Sequence, residues 1–323
     1  MSDRPEVIAG VDDVDCTGQQ AVVTGSTSGI GREAALALGR LGADVIVHGR
    51  DETAGTAVVD RLTGMGVEAQ FVQADFSDVD AVKDLAATIR ADTDGLDILI
   101  NNAGGLFRNG AVTDAGVEYT FHVNHLSPYL LTVELLDHLR DNARVVTTAS
   151  SAHRGSMLDL DRVRDVESYS AAGAYGHSKL SNILFARELA NRLEETNRSV
   201  TSNSIHPGGI PGSGFTRFLP GPLPWLAKRL EAVPGVTSVA DGAAELLFVA
   251  VSPRTTDVTG RYFTGLESAT PTDAARDLDA ADSLWTASAE LLGIDEPLAD
   301  VGPDAGADSD DPAESGDGVT ADG

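Results

Sequence analysis

Two kinds of segment alternate along this chain, and that alternation is what most restricts its fold. Short β-branched and apolar runs recur near 20–24, 44–48, 68–73, 96–101, 143–150, 199–205 and 258–263. Between them lie longer stretches with apolar residues at helical spacing, near 29–41, 52–64, 78–91, 113–137, 174–195, 237–250 and 280–292. A strand, a helix and a second strand join most readily by a right-handed crossover in a parallel sheet. The expectation is one α/β domain over residues 18–294: a doubly wound parallel sheet of about seven strands with helices on both faces. In such a sheet ligands sit beyond the carboxyl ends of the strands.

The chemistry-bearing motifs fall at those ends. The first is Thr24-Gly25-Ser26-Thr27-Ser28-Gly29-Ile30-Gly31, after the apolar run Gln20-Ala21-Val22-Val23 and before the helical pattern Arg32 to Leu38. A strand, a glycine turn and a helix N-terminus make a pyrophosphate site, because glycines admit close backbone approach and unpaired N–H groups meet the anion. The spacing is G-x-x-x-G-x-G rather than G-x-G-x-x-G. Asn101-Asn102-Ala103-Gly104 ends the run Leu96-Asp97-Ile98-Leu99-Ile100, and Val145-Val146-Thr147-Thr148-Ala149-Ser150-Ser151 ends in two hydroxyls. Tyr175-Gly176-His177-Ser178-Lys179 puts a phenol and an ammonium four apart on one helix face. A nearby ammonium favours the phenolate, so the tyrosine is expected to titrate below its usual value of about 10 and to act as a general acid/base.

In this order the motifs resemble the short-chain dehydrogenase/reductase family, in its compact single-domain branch. The resemblance spans roughly residues 18–292 and rests on T-G-x-x-x-G-I-G, N-N-A-G, Asn124 in the next helix, the serine pair, Y-x-x-x-K and Pro207-Gly208. It implies a Rossmann fold and an oxidoreductase that interconverts an alcohol and an aldehyde or ketone with a nicotinamide cofactor. By the resemblance, Tyr175 gives a proton to the carbonyl oxygen, and Lys179 lowers its pKa and holds the nicotinamide ribose. Ser151, the second of the pair, binds the substrate oxygen. Asn124 kinks its helix and relays protons to Lys179 through water. Gly25, Ser26, Ser28, Gly29, Ile30 and Gly31 would hold the pyrophosphate. Asp75 would lie near the adenine, with Asn101, Asn102, Ala103 and Gly104 on the adenosine side. His206-Pro207-Gly208-Gly209-Ile210 matches the loop for the nicotinamide carboxamide, through the backbone of Ile210. Either Ser213 or Thr216 stands in for the family's pyrophosphate threonine.

Cofactor choice can be read from the residues directly. After Val45-Ile46-Val47-His48 comes Gly49-Arg50, with no acid where an NAD enzyme binds the ribose 2′-hydroxyl. Arg50 can hold a 2′-phosphate by charge and paired hydrogen bonds, so NADP is expected, with NAD the alternative; Asp51 beside it can partly neutralise it. The stretch 152–172 before Tyr175 is long, and Ser150-Ser151-Ala152-His153 is most similar to the retinol dehydrogenase and protochlorophyllide reductase branch. Residues 208–236, with Phe215, Phe218, Leu219, Trp225 and Leu226, are expected to flap over an apolar substrate. His153 is expected at the pocket entrance. His122 and His125, without a carboxylate or cysteine partner, are expected on a helix surface or interface rather than on a metal.

Composition narrows the setting. The net charge of −27 repels phosphate backbones and argues against nucleic-acid partners. Lysine occurs only at Lys83, Lys179 and Lys228. Acid spread over the surface (Asp12, Asp13, Asp51, Asp78, Asp80, Asp92, Asp94) with so little lysine is similar to halophilic archaeal proteins, and molar salt is expected to stabilise the fold. One cysteine, Cys16, excludes an intrachain disulfide and fits a reducing cytoplasm. No apolar run of about 18 residues occurs, so no membrane partner is expected. Residues 1–17 read as a flexible lead and 295–323 as an acidic disordered tail. The resemblance implies a homo-oligomer, a dimer or tetramer through the helices of Asn124 and Tyr175. A non-catalytic dinucleotide sensor or scaffold is the competing reading, and a pure binder has no need of Tyr175 and Lys179. A sugar-nucleotide epimerase fits less well, given the glycine spacing and the lack of a second domain.

Overall fold

The computed structural model describes residues 4–209 and 237–299. Its sheet contains β1 (Gln20–Val23), β2 (Asp44–Gly49), β3 (Ala69–Gln73), β4 (Leu96–Asn101), β5 (Leu139–Thr148), β6 (Thr201–Ile205), β7 (Tyr262–Thr264) and β8 (Glu267–Ala269). The order across the sheet is β3-β2-β1-β4-β5-β6-β7-β8. Neighbouring strands from β3 through β7 are parallel, and β8 returns antiparallel to β7. That eighth strand was not expected from the sequence. It folds back through a two-residue turn in which Leu266 sits at φ 60°, and the Gly-Leu pair there lacks the asparagine or aspartate that usually announces such a hairpin.

The helices are α1 (Pro5–Ile8), α2 (Gly29–Arg40), α3 (Glu52–Thr63), α4 (Val79–Asp92), α5 (Tyr119–Phe121), α6 (Ser127–Glu134), α7 (Ala171–Glu195), α8 (Val239–Val251) and α9 (Leu278–Leu292). Strand residues feed two cores by their period of two. Val23, Val45, Val47 and Ile100 face α2 and α8, while Val22, Ile46, Leu99 and Val145 face the side of α4, α6, α7 and α9. The chain runs β1, β2, β3 outward and then returns to place β4 beside β1. The crevice at that reversal, between the ends of β1 and β4, is where ligands bind in such sheets.

Three expectations change. The helix expected over 113–137 begins only at Tyr119, because Glu118 caps it by accepting from the N–H groups of Thr120 and Phe121 at 2.7 and 2.9 Å. It is then broken by a π-helical turn, His122–Leu126. Residues 4–17 are a docked segment, not a flexible lead. Glu6 is fully buried and held by Arg40 at 2.5 and 2.8 Å, and Val11 and Cys16 enter the core. Burial raises the Glu6 pKa, but the arginines more than reverse this and hold it below the usual carboxylate range. Residues 295–299, the start of the expected tail, are likewise packed: Trp285 Nε1 donates to Pro297 O at 3.0 Å and Arg192 pairs with Glu296 at 2.7 Å.

α9 also bears on the expected oligomer. Trp285 packs edge-on against Tyr129 at 5.0 Å and stacks on Phe185 at 6.0 Å, so this helix covers one face of α6 and α7 within the same chain. Among the described residues no helix is long and apolar enough to cross a membrane.

Candidate active site

The glycine turn after β1 is held from three sides. Thr24 Oγ1 accepts from the N–H groups of Asn102 and Ala103 at 2.9 and 3.0 Å, tying β1 to β4. Asn102 Nδ2 donates to Thr24 O at 2.9 Å. On the other side, His48 Nδ1 accepts from Gly25 N–H at 3.3 Å while its Nε2–H reaches Ala74 O at 3.2 Å. Burial lowers the His48 pKa to about 4, which keeps the ring neutral and able to accept. Gly31 has no room for a side chain: a Cβ there would meet Asn102 Nδ2 at 2.5 Å and Gly25 O at 2.6 Å. The turn is therefore drawn against the start of α2, whose first intrahelical bond is Arg32 N–H to Ser28 O at 3.3 Å. The N–H groups of Gly29, Ile30 and Gly31 precede that bond and, with exposed Ser28, form an anion cradle.

Three expected cofactor contacts are corrected. Ser26 is buried; its hydroxyl donates to Val23 O at 2.6 Å and its N–H to His48 O at 2.9 Å, so neither faces the crevice. Asn101 turns into the core, with Nδ2 on Thr132 Oγ1 at 2.8 Å, and Asn102 supports the turn rather than lining the adenosine side.

Arg50 leaves the end of β2 with its side chain well exposed, 3.5 Å from Asp75. Asp51 does not neutralise it. Its carboxylate caps α3 by accepting from Ala54 N–H at 3.0 Å. Burial tends to raise the Asp75 pKa, but the Ser77 N–H and hydroxyl and then Arg50 hold it below the ordinary range. A guanidinium fork beside the turn and an N–H cradle under it suit a dinucleotide carrying a 2′-phosphate.

The hydroxyl pair expected at Ser151 and Tyr175 is built from Ser150. The Ser150 hydroxyl hydrogen-bonds the Tyr175 phenol, whereas Ser151 is exposed and starts a short 3-10 turn with Ala152 and His153. Ser150 caps that turn by accepting from Ala152 N–H at 3.2 Å, and His153 Nδ1–H donates to Ser150 O at 2.6 Å. His153 is fully buried and fixes the serine's backbone; it is not at a pocket entrance. Close approach is possible because position 176 is glycine: a Cβ there would meet Ser156 Oγ at 2.6 Å and Ala152 O at 2.8 Å.

Lys179 is buried one turn along α7, with Nζ donating to Thr148 O at 2.8 Å and lying 5.6 Å from the Tyr175 ring centre. Burial lowers its pKa to about 7. Burial also raises the Tyr175 pKa, and the Ser150 hydrogen bond only partly opposes it. This reverses the expected direction: desolvation outweighs any attraction from Lys179, and the phenol stays protonated. Asn124 sits in the π turn and grips Gly105 from both sides, Oδ1 accepting from its N–H at 2.8 Å and Nδ2 donating to its carbonyl at 2.9 Å. Nδ2 also donates to Ser178 Oγ at 2.9 Å. It thereby sets Gly104 beside Lys179 instead of bonding to the ammonium itself.

The stretch 152–172 is pinned down. Val163 O accepts from Glu118 N–H at 2.7 Å, Tyr169 Oη donates to Phe107 O at 2.6 Å, and Asp159 N–H donates to His177 Nε2 at 3.0 Å. His122 and His125 are buried, not on a surface. They meet Thr113 Oγ1 at 2.7 Å and Ser288 Oγ at 3.0 Å, and no group of three or more metal-ligating side chains occurs among the described residues. Pro207 and Gly208 follow β6 into the crevice end of the sheet. Ile210, Ser213, Thr216 and nearly all of the expected flap lie outside the described residues.

Comparison with known proteins shows the family and the fold. The family profile described as short chain dehydrogenase matches residues 19–218. Human retinol dehydrogenase 13 is 35% identical over 297 residues, covering 87% of this chain and 86% of its own. A solved structure from Mycobacterium paratuberculosis superposes with a TM-score of 0.71 at 29% identity, covering 88% of this chain and 97% of its own. A short chain dehydrogenase from Burkholderia cenocepacia, solved in complex with NADP, gives a TM-score of 0.61 at 28% identity, covering 77% and 96%.

Proposed function

We propose, from the premise that this chain belongs to the short-chain dehydrogenase/reductase family, that it is an NADP-dependent oxidoreductase acting on a bulky apolar alcohol and its aldehyde or ketone. The observation that carries the reading is the Ser150–Tyr175 hydroxyl pair beside buried Lys179, at the crevice end of the sheet. The retinol dehydrogenase names among its relatives support an apolar substrate. Arg50 supports the phosphorylated cofactor.

The nicotinamide, when bound, supplies or accepts the hydride. The N–H groups of Gly29, Ile30 and Gly31 would hold its pyrophosphate, and Arg50 its 2′-phosphate. Lys179 has two N–H donors left after Thr148 O, suited to ribose hydroxyls. With substrate bound, Ser150 Oγ–H turns from the phenol oxygen to the substrate oxygen and holds it over the phenol. Tyr175, kept protonated by burial, passes its proton to that oxygen as negative charge develops there. Lys179, titrating near neutrality, returns the proton. In the oxidative direction the same groups run in reverse.

Arg50→Ala tests the cofactor assignment. A lost charge-assisted contact is worth about 1.5–3 kcal/mol, so NADPH should bind roughly 10- to 150-fold more weakly, with NADH affinity changed less than threefold. Equal losses for both cofactors would overturn the role given to Arg50.

A further inference from the structure

A second charged site lies outside the crevice. A groove of about 220 Å³ is bounded by α7, the segment entering β7, and β8 with the turn after it. Its charged lining is Arg187, Arg261 and Arg276, with no carboxylate among the lining residues; Ser268 and Thr270 add hydroxyls. In a chain of net charge −27, three guanidinium groups meeting in one groove need an explanation. Acidic partners are abundant in this sequence, yet among the described residues only Arg276 of the three has one, Asp273, at the exposed rim. Arg187 Nε is buried and has no hydrogen-bond partner among the described residues. Burial and then the charges of Arg261 and Arg276 lower the Arg187 pKa, as expected for like charges in mutual reach. An unpartnered buried donor beside like charges weakens the fold unless an anion joins them.

We propose that this groove binds a small oxyanion, a phosphate or carboxylate group, between the guanidinium forks of Arg187 and Arg261, with Arg276 at the rim. Planar forks match the paired oxygens of either group, and the hydroxyls complete the shell. The groove backs on the wall that carries Ser150. Tyr262, which lines it, packs edge-on to His153 at 5.3 Å, and Thr272 N–H donates to His153 Nε2 at 3.4 Å. The site is separate from Arg50, at the opposite end of the strand order.

The test is calorimetric titration of the full chain with inorganic phosphate and, separately, succinate, at ionic strength held constant with KCl. Saturable binding of either anion is expected in the unchanged protein and in Arg50→Ala, with the tighter anion identifying the head group. Arg187→Gln and Arg261→Gln should each weaken it at least tenfold, and Arg261→Lys should weaken it less than Arg261→Gln. Circular dichroism and a thermal melt confirm that each variant is folded. Binding of neither anion, binding unchanged in both glutamine variants, or binding lost in Arg50→Ala would each overturn the proposal. The last result would place the anion in the cofactor crevice instead.

Discussion

Replacing Ser150 and Ser151 by alanine, one at a time, separates two neighbours that a sequence motif cannot tell apart. The Ser150 hydroxyl touches the Tyr175 phenol, while Ser151 is exposed and has no side-chain partner among the described residues. If Ser150 donates to the oxygen on which charge develops, its removal deletes one preorganised donor. Such losses are worth about 2.7–4 kcal/mol, or roughly 10²–10³ in kcat. A smaller structural cost comes with it, because Ser150 also caps the 3-10 turn through Ala152 N–H at 3.2 Å. Loss of a capping hydroxyl costs about 1 kcal/mol and should lower Tm by a few degrees without unfolding the domain. Ser151→Ala should leave kcat within about twofold. Steady-state turnover of an apolar aldehyde with NADPH measures the first effect, and NADPH fluorescence titration shows whether cofactor binding is intact. A large loss in Ser151→Ala, with Ser150→Ala near normal, would refute the geometric argument.

Two further outcomes are expected. Four histidines, buried His48, His122 and His125 and half-buried His177, have pKa values lowered by desolvation, His48, His122 and His177 to about 4 and His125 to about 3. Between these values and 6.5 the unfolded chain binds protons that the folded chain refuses, so stability falls as pH drops through that window, on the order of 1–2 kcal/mol per imidazole by pH 5. Urea midpoints that do not move between pH 7 and 5 would contradict this. Sedimentation equilibrium should give a particle of 33.5 kDa, because α9 of the same chain packs on α6 and α7, beside the helices that the family resemblance implies for pairing. A stable dimer that persists in Trp285→Ala, where α9 is loosened, would show that copies pair through another surface.

Much of the architecture was legible because buried parallel strands and their crossover helices write strong periodic patterns. β1 through β7 fell near their expected places, and the crevice end could be named from the positions of Gly25, Asn102 and Tyr175 alone. What escaped were features set by tertiary contacts. The docking of residues 4–17 depends on Glu6 meeting Arg40 across 34 positions, which no local signal announces. Ser26, Asn101 and Asn102 have the right residue types for ligand contact, yet strand and turn hydrogen bonds claim them first. Thr24, His48 and His153 shape the site through strand, turn and backbone hydrogen bonds that local spacing does not announce, which is why His153 was misplaced at the pocket entrance and Thr24 and His48 were given no supporting role. The Ser150 assignment had a faint signal: a serine just past a strand, followed by a short turn, is a capping position, and capping fixes where its hydroxyl points. The Tyr175 pKa direction could not be read from spacing, since burial and not distance from Lys179 decides it.

In the proposed reaction the Tyr175 phenol is the proton donor to a carbonyl, with NADP as the cofactor. Single-turnover oxidation of bound NADPH by a panel of apolar aldehydes, comparing the unchanged chain with Tyr175→Phe, tests it most directly. Tyr175→Phe should bind NADPH with unchanged affinity and lose about 10²–10⁴ in the rate of the chemical step. Turnover retained in Tyr175→Phe would contradict it.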